Sequence, residues 1–156
     1  MEYGPRSLGN RSIIAAPFDP SINDWLNKRL NRTEFMPFAP SVLEEAAPDY
    51  FENYKSDQIA ADYMTITYNV FEHKKKEIPA VVHVDNTARP QVVRKNTNPS
   101  YYKIIQEFAK LTNVPVVLNT SFNIHEQPII YTPDDAINGF LEGKLDALAI
   151  GNYICI

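Results

Sequence analysis

The chain reads as an α/β protein of the α+β kind, a mixed, twisted sheet with helices packed on it. Three observations predict this. In the C-terminal half, short apolar runs alternate with two amphipathic segments that carry helix-start signals. In the N-terminal half, many of the twelve prolines cut the chain into short strand-like and loop-like pieces. A length of 156 residues, 44% of them hydrophobic and 12% aromatic, supplies one core for one domain.

Taken in order, Ser21 to about Asn31 is predicted as a helix, with Ser21 as N-cap and Ile22, Trp25, Leu26 and Leu30 on one face. Phe35 to Leu43 contains two prolines, so it is expected as an edge strand or a fixed loop. Tyr63 to Val70 alternates Met64, Ile66, Tyr68 and Val70 with polar residues, the pattern of a half-buried strand. Lys74-Lys75-Lys76 is expected as the solvated tip of a hairpin. Ala80 to Val84 and Gln91 to Val93 are further predicted strands, flanking the loop Asp85 to Arg89.

Asn98-Pro99 opens a helix whose stripe is Tyr101, Ile104, Ile105, Phe108 and Leu111. Thr132-Pro133 opens another, with Asp135 three positions on as a capping acid and Gly143 at its end. Val114 to Leu118 and Leu145 to Ile150 are strands alternating with these helices. Trp25 and the single cysteine, Cys155, are expected in the core.

Composition excludes some functions. A net charge of −4 argues against a nucleic-acid surface, which is normally basic. No stretch approaches the ~20 apolar residues of a membrane helix. One cysteine allows no internal disulfide, which fits a cytoplasmic protein.

Three stretches carry candidate chemistry. Leu118-Asn-Thr-Ser-Phe-Asn123 follows an apolar strand with small polar side chains, where open α/β sheets bind ligands. Asn119, Thr120, Ser121 and Asn123 suit hydrogen bonding to phosphate or carbonyl oxygens. No Gly-x-Ser-x-Gly context makes Ser121 a nucleophile. Gly4-Pro-Arg-Ser-Leu-Gly-Asn-Arg-Ser12 places Arg6 and Arg11 in a glycine-containing loop that fits phosphate, or is a plain turn with two surface arginines. His83-Val-Asp-Asn-Thr-Ala-Arg89 sets His83 and Asp85 to bond one another and orient Arg89. His-x-Asp gives two metal ligands with no third nearby, so no metal site is predicted. Lys28, Arg29 and Arg32 form a solvated helix face or a supplementary phosphate contact.

These residues carry a resemblance. Gly4-Pro-Arg-Ser-Leu-Gly-Asn-Arg-Ser-Ile13, Met36-Pro-Phe-Ala-Pro-Ser-Val-Leu43, His83 to Arg89 and Val114 to Asn123 resemble, in order, the C-terminal domain of the O-carbamoyltransferase family of nodulation-factor, cephamycin and tobramycin carbamoyltransferases. The likeness continues through Pro128-Ile-Ile and Thr132-Pro-Asp-Asp-Ala136.

It implies a YrdC-like domain that binds ATP, with Mg2+ on its triphosphate, and carbamoyl phosphate, and forms carbamoyl-adenylate. It implies that residues 1–156 are a fragment lacking an N-terminal acceptor domain, which holds Fe2+ or a similar metal and passes the carbamoyl group to a sugar or natural-product hydroxyl. It implies Arg6, Arg89, Asn119 and Ser121 as catalytic contacts. Arg11, Lys28, Arg32, His83, Thr120 and Asn123 are expected to assist substrate or nucleotide binding. A homodimer is a possible assembly.

The chain departs from the family's pattern at Met36, where many members carry arginine, and at Leu30 and Asn31, where many carry a lysine. Two lost cations favour an alternative function, a non-catalytic nucleotide- or phosphate-binding module that docks in or regulates a larger protein.

Overall fold

The computed structural model describes residues 7–30, 38–124 and 127–156. Arg6, Asn31, Arg32, Met36 and His125 lie outside them. A four-stranded mixed sheet is formed by β1 (Ser12–Ala15), β2 (Ala39–Leu43), β5 (Gln91–Val93) and β6 (Val116–Ser121), in the order β1-β6-β2-β5. β6 runs antiparallel to both its neighbours, and β2 runs parallel to β5. The α+β reading stands.

Side chains alternate across a sheet, so residues two apart share a face. Leu43, Val93 and Val117 face α4 (Pro99–Thr112) and form a small core with its Tyr101, Tyr102 and Ile105. On the opposite face Ile13, Val42, Val92, Val116 and Leu118 join a larger core. α1 (Ser21–Arg29) contributes Leu26 to it, and α5 (Pro133–Glu142) contributes Ala136.

Capping follows the expected chemistry at two helices. Asn98 accepts from the Tyr101 amide, and Thr132 and Asp135 form a reciprocal capping box. Gly143 is the C-cap of α5, although the left-handed turn falls one residue later, at Lys144. At α1 the reading needs correction: Ser21 is the first helical residue, and Asp19 Oδ1 accepts from its amide at 2.8 Å. The α4 stripe is also turned. Tyr102 is buried, whereas Leu111 is 86% exposed.

Two predicted strands are not strands. Met64 takes a left-handed φ of 56°, and Thr65 donates its amide and hydroxyl to the Ala60 carbonyl. That closes a 3-10 turn over Ile59–Tyr63 and delays extension to β3 (Tyr68–Asn69). Likewise Pro79–Val81 is a 3-10 turn, held by Asn23 Nδ2 donating to the Ala80 carbonyl at 2.8 Å. β4 (Thr87–Ala88) then pairs with β3. Between these stretches, α2 (Ala47–Tyr50) and α3 (Glu72–Lys75) are single turns. The lysine run thus ends a helical turn, with Lys76 as its C-cap: Lys74 pairs with Glu77 and Lys75 with Glu72.

The proline-bearing segment is an interior strand, not an edge. Leu43 N–H reaches the Pro115 carbonyl on the β6 side, and Glu44 N–H reaches Val93 on the β5 side. Alternation then points the missing Pro40 N–H toward β5, one residue short of where β5 begins to pair, at Ser41 opposite Gln91. No ladder bond is lost.

At the C-terminus, β7 (Leu148–Ile150) and β8 (Tyr153–Cys155) form a separate hairpin rather than extending the main sheet. Cys155 is exposed on it, so it is not a core residue. Trp25 is half-buried, with the Arg29 guanidinium 3.7 Å from its ring centroid. A hollow of about 1000 Å³ opens against β1, lined by Ile13, Trp25, Tyr101, Phe122 and Leu148, with Arg11 at its wall.

Candidate functional site

The Asn-Thr-Ser segment is not a loop after a strand. It is the end of β6, because β1 pairs with it through Ile14 opposite Asn119, Ile13 opposite Thr120 and Ser12 opposite Ser121. Alternation therefore separates its side chains. Asn119 and Ser121 share the α4 face with Val117, and Thr120 points to the other. Asn119 is 2% exposed; Thr120 and Ser121 are half-buried.

Asn119 belongs to a buried polar network that the sequence reading missed. Its Nδ2 donates to Gln91 Oε1 at 2.6 Å, and Ser41 Oγ donates to the same oxygen at 2.8 Å. Ser41 is fully buried and Gln91 2% exposed. Asn119 Oδ1 makes no hydrogen bond among the described residues, and the buried Tyr101 hydroxyl lies against Ser41. Burial pushes the Tyr101 hydroxyl well above the usual tyrosine range. The available signal was a polar residue alternating with apolar ones in β2 and β5: Ser41 before Leu43, Gln91 before Val93.

Gln91 brings the Arg89 segment to this network. Gln91 and Asn119 stand on β5 and β6, with β2 between them, so their backbones are about 10 Å apart. The two side chains close that gap, and Arg89 lies two residues before Gln91. Arg89 is half-buried, and its charge acts on His83.

His83 and Asp85 do not bond one another directly; Thr87 stands between. Thr87 Oγ1 donates to Asp85 Oδ1 at 2.7 Å, so it receives a hydrogen from His83 Nδ1 at 3.1 Å. The imidazole thus carries its proton on Nδ1, and the lone pair of Nε2 is buried without a partner among the described residues. Burial pushes His83 below its ordinary pKa; Asp85 opposes this and Arg89 adds to it. Asp85 is held low, chiefly by the Thr87 hydroxyl and amide.

The other candidates are spread out. Arg11 is exposed, and its Nη1 donates to the Ile130 carbonyl at 3.3 Å, on the wall of the hollow. It flanks β1 while Arg89 flanks β5, the two edges of the sheet, about 14 Å apart by strand spacing. Asn123 Nδ2 donates to the Ile124 and Gln127 carbonyls, within its own loop. Lys28 is exposed on α1, and Arg29 is engaged with Trp25 and the Lys144 carbonyl. Arg6 and Arg32 lie outside the described residues. Leu30 is a fully buried core residue. One more residue escaped the sequence reading: Asn27 on α1 is 8% exposed, and neither of its amide atoms has a partner among the described residues.

The loop leading into β1 is tightly fixed. Gly9 N–H donates to Ser12 Oγ at 2.9 Å, Ser12 Oγ donates to Ser7 Oγ at 3.0 Å, and Asn98 Nδ2 donates to the Leu8 carbonyl at 2.8 Å. The arginine-bearing loop is thereby tied to the start of α4, on the face that carries Asn119 and Ser121.

These features define an α+β domain with buried amides and hydroxyls beside an arginine-bearing segment. The family described as carbamoyltransferase C-terminus matches residues 1–156, and the chain belongs to it. Similar proteins include nodulation protein NolNO of Sinorhizobium fredii, 45% identical over 154 residues, covering 98% of this chain and 22% of that protein. Nodulation protein NolO of Bradyrhizobium diazoefficiens is 42% identical over 154 residues, 98% of this chain and 28% of that one. An uncharacterised protein of Methanocaldococcus jannaschii is 47% identical over 154 residues, 99% of this chain and 29% of that one. The chain thus spans between about a fifth and a third of the length of these relatives.

Proposed function

We propose that this chain is the adenylate-forming part of an O-carbamoyltransferase, making carbamoyl-adenylate from carbamoyl phosphate and ATP. The observation that carries the reading is the match of the whole chain to the carbamoyltransferase C-terminus family. In support of it, Gln91, two residues after Arg89, bonds to the buried Asn119.

In this reading carbamoyl phosphate and water give carbamate and phosphate. A carbamate oxygen then attacks the α-phosphorus of ATP, bound as its Mg2+ complex, and pyrophosphate leaves. Arg89 holds phosphate oxygens as a guanidinium fork and stabilises the charge that grows on them. Asn119 and Ser121, sharing one face, orient the carbamoyl end. Neutral His83 offers the Nε2 lone pair to a ligand N–H or O–H. No side chain acts as a covalent nucleophile. The carbamoyl group is then passed to a sugar or natural-product hydroxyl by the remainder of a longer protein, in a cytoplasmic setting. Arg6 and Arg32 supply further charge to the triphosphate.

The test is ATP–pyrophosphate exchange, measured with and without carbamoyl phosphate. Exchange that depends on carbamoyl phosphate supports the reading. Binding of ATP and carbamoyl phosphate by calorimetry with no exchange, even with the rest of the protein present, supports the docking module favoured by Met36 and the buried Leu30.

A further inference from the structure

We propose that Gln91 is a positioning residue that fixes which end of the Asn119 carboxamide faces the ligand, so that the site selects a carbamoyl group by its NH2. The inference rests on the carbamoyl-phosphate reading above and deepens it.

A carboxamide has a donor end and an acceptor end, and a half-turn about its last bond exchanges them. Gln91 Oε1 can only accept. It meets Asn119 across 2.6 Å, so the Asn119 end directed at it must be Nδ2. In the structure the same Gln91 oxygen also accepts from Ser41 Oγ, at 2.8 Å. Asn119 therefore keeps Oδ1 for whatever comes to it. That oxygen accepts nothing among the described residues, although Asn119 is only 2% exposed. Buried polar atoms are normally paired, so this unpaired one in β6 is available to a ligand atom.

An acceptor that cannot donate chooses a donor. The amide nitrogen of carbamoyl phosphate offers two N–H groups. Acetyl phosphate has the same phosphate and carbonyl, with a methyl in place of the NH2, and can donate nothing. Arg89 contributes nothing to this choice, since the phosphate end is common to both. Sites built to hydrogen-bond a group reject the analogue lacking it strongly, because their own polar atom is left unpaired.

The test measures carbamoyl-phosphate-dependent ATP–pyrophosphate exchange in the full chain, with acetyl phosphate as competitor. The readout is the ratio of the inhibition constant of acetyl phosphate to the KM of carbamoyl phosphate. In the wild type the ratio should be at least about 100. Gln91→Met removes the acceptor, frees the carboxamide to turn, and should lower the ratio about tenfold or more. Gln91→Glu keeps an oxygen for Asn119 Nδ2 and should restore it.

Several results overturn the proposal. One is a wild-type ratio near 1, which decides the matter even if Gln91→Met does not fold. Another is a Gln91→Met protein that loses use of both compounds together with its ratio intact, as a purely structural role for Gln91 would produce. Wild-type protein without any carbamoyl-phosphate-dependent exchange removes the underlying function instead, and so is a distinguishable failure.

Discussion

Asn119 Nδ2 donates to Gln91 Oε1 at 2.6 Å across an intervening strand, so a single hydrogen bond ties β6 to β5 over the top of β2. Ser41 of β2 donates to the same oxygen from below. Each of the three strands thus contributes one polar side chain to a buried knot on the α4 face. Ser41→Ala leaves Gln91 Oε1 still paired with Asn119, so that oxygen is not orphaned. The expected cost is about 1 kcal/mol. Urea unfolding measures it; a loss above roughly 3 kcal/mol would mean that Ser41 does more than donate one bond.

Gly9 has a left-handed φ of 83°, and a Cβ there would lie 2.2 Å from the Tyr101 ring. The ring is buried and belongs to the core under α4, so it has nowhere to move. Gly9→Ala should cost about 1–2 kcal/mol for the backbone and about 1–3 more for overpacking. Thermal melting would show a fall of many degrees. Unchanged stability would mean that the loop leaves Tyr101 freely.

Thr132→Ala removes one half of the capping box at α5, the bond from the Asp135 amide to Thr132 Oγ1. Helix caps of this type are worth about 0.5–2 kcal/mol. Thr132→Ser keeps the hydroxyl and should recover most of the loss in a denaturation curve. Equal losses in both variants would contradict the capping account.

His83 gives the domain a pH dependence. Burial, together with Arg89, lowers its pKa in the folded state from the model-peptide value of 6.5. The unfolded chain therefore takes up the proton first as pH falls. Stability from this group is complete above about pH 6.5 and is lost as pH drops from there through the lowered folded value. Unfolding curves between pH 8 and pH 5 should fall on the acid side, and His83→Gln should flatten that slope. An identical slope in the variant would assign it to other groups.

Much of the fold was legible because its signals are local. Asn98-Pro99 and Thr132-Pro133 announce their helices, and Gln91-Val-Val reads as a strand. Pro40 misled, since proline excludes only the ladder bond its own N–H would make, and that N–H points beyond the start of β5. Tyr63 to Val70 misled for a different reason: its alternation is sound, yet Thr65 bonds back to Ala60 and breaks the strand. Asn119 and Arg89 were visible as motif residues. Gln91 and Ser41 were not, because a lone polar residue in an apolar strand gains meaning only when register sets it beside another. Arg11 and Arg89 were each visible as loop arginines, but their placement at opposite edges of the sheet came only with strand order.

The central claim is that Arg89 holds a phosphate at the network anchored by Asn119 and Gln91. The most direct measurement is carbamoyl-phosphate-dependent ATP–pyrophosphate exchange in Arg89→Ala protein whose circular dichroism and melting match the wild type. Loss of two charge-assisted bonds of about 1.5–3 kcal/mol each predicts a fall on the order of 10²–10⁴ in rate. Exchange at the wild-type rate in that folded variant would contradict the account.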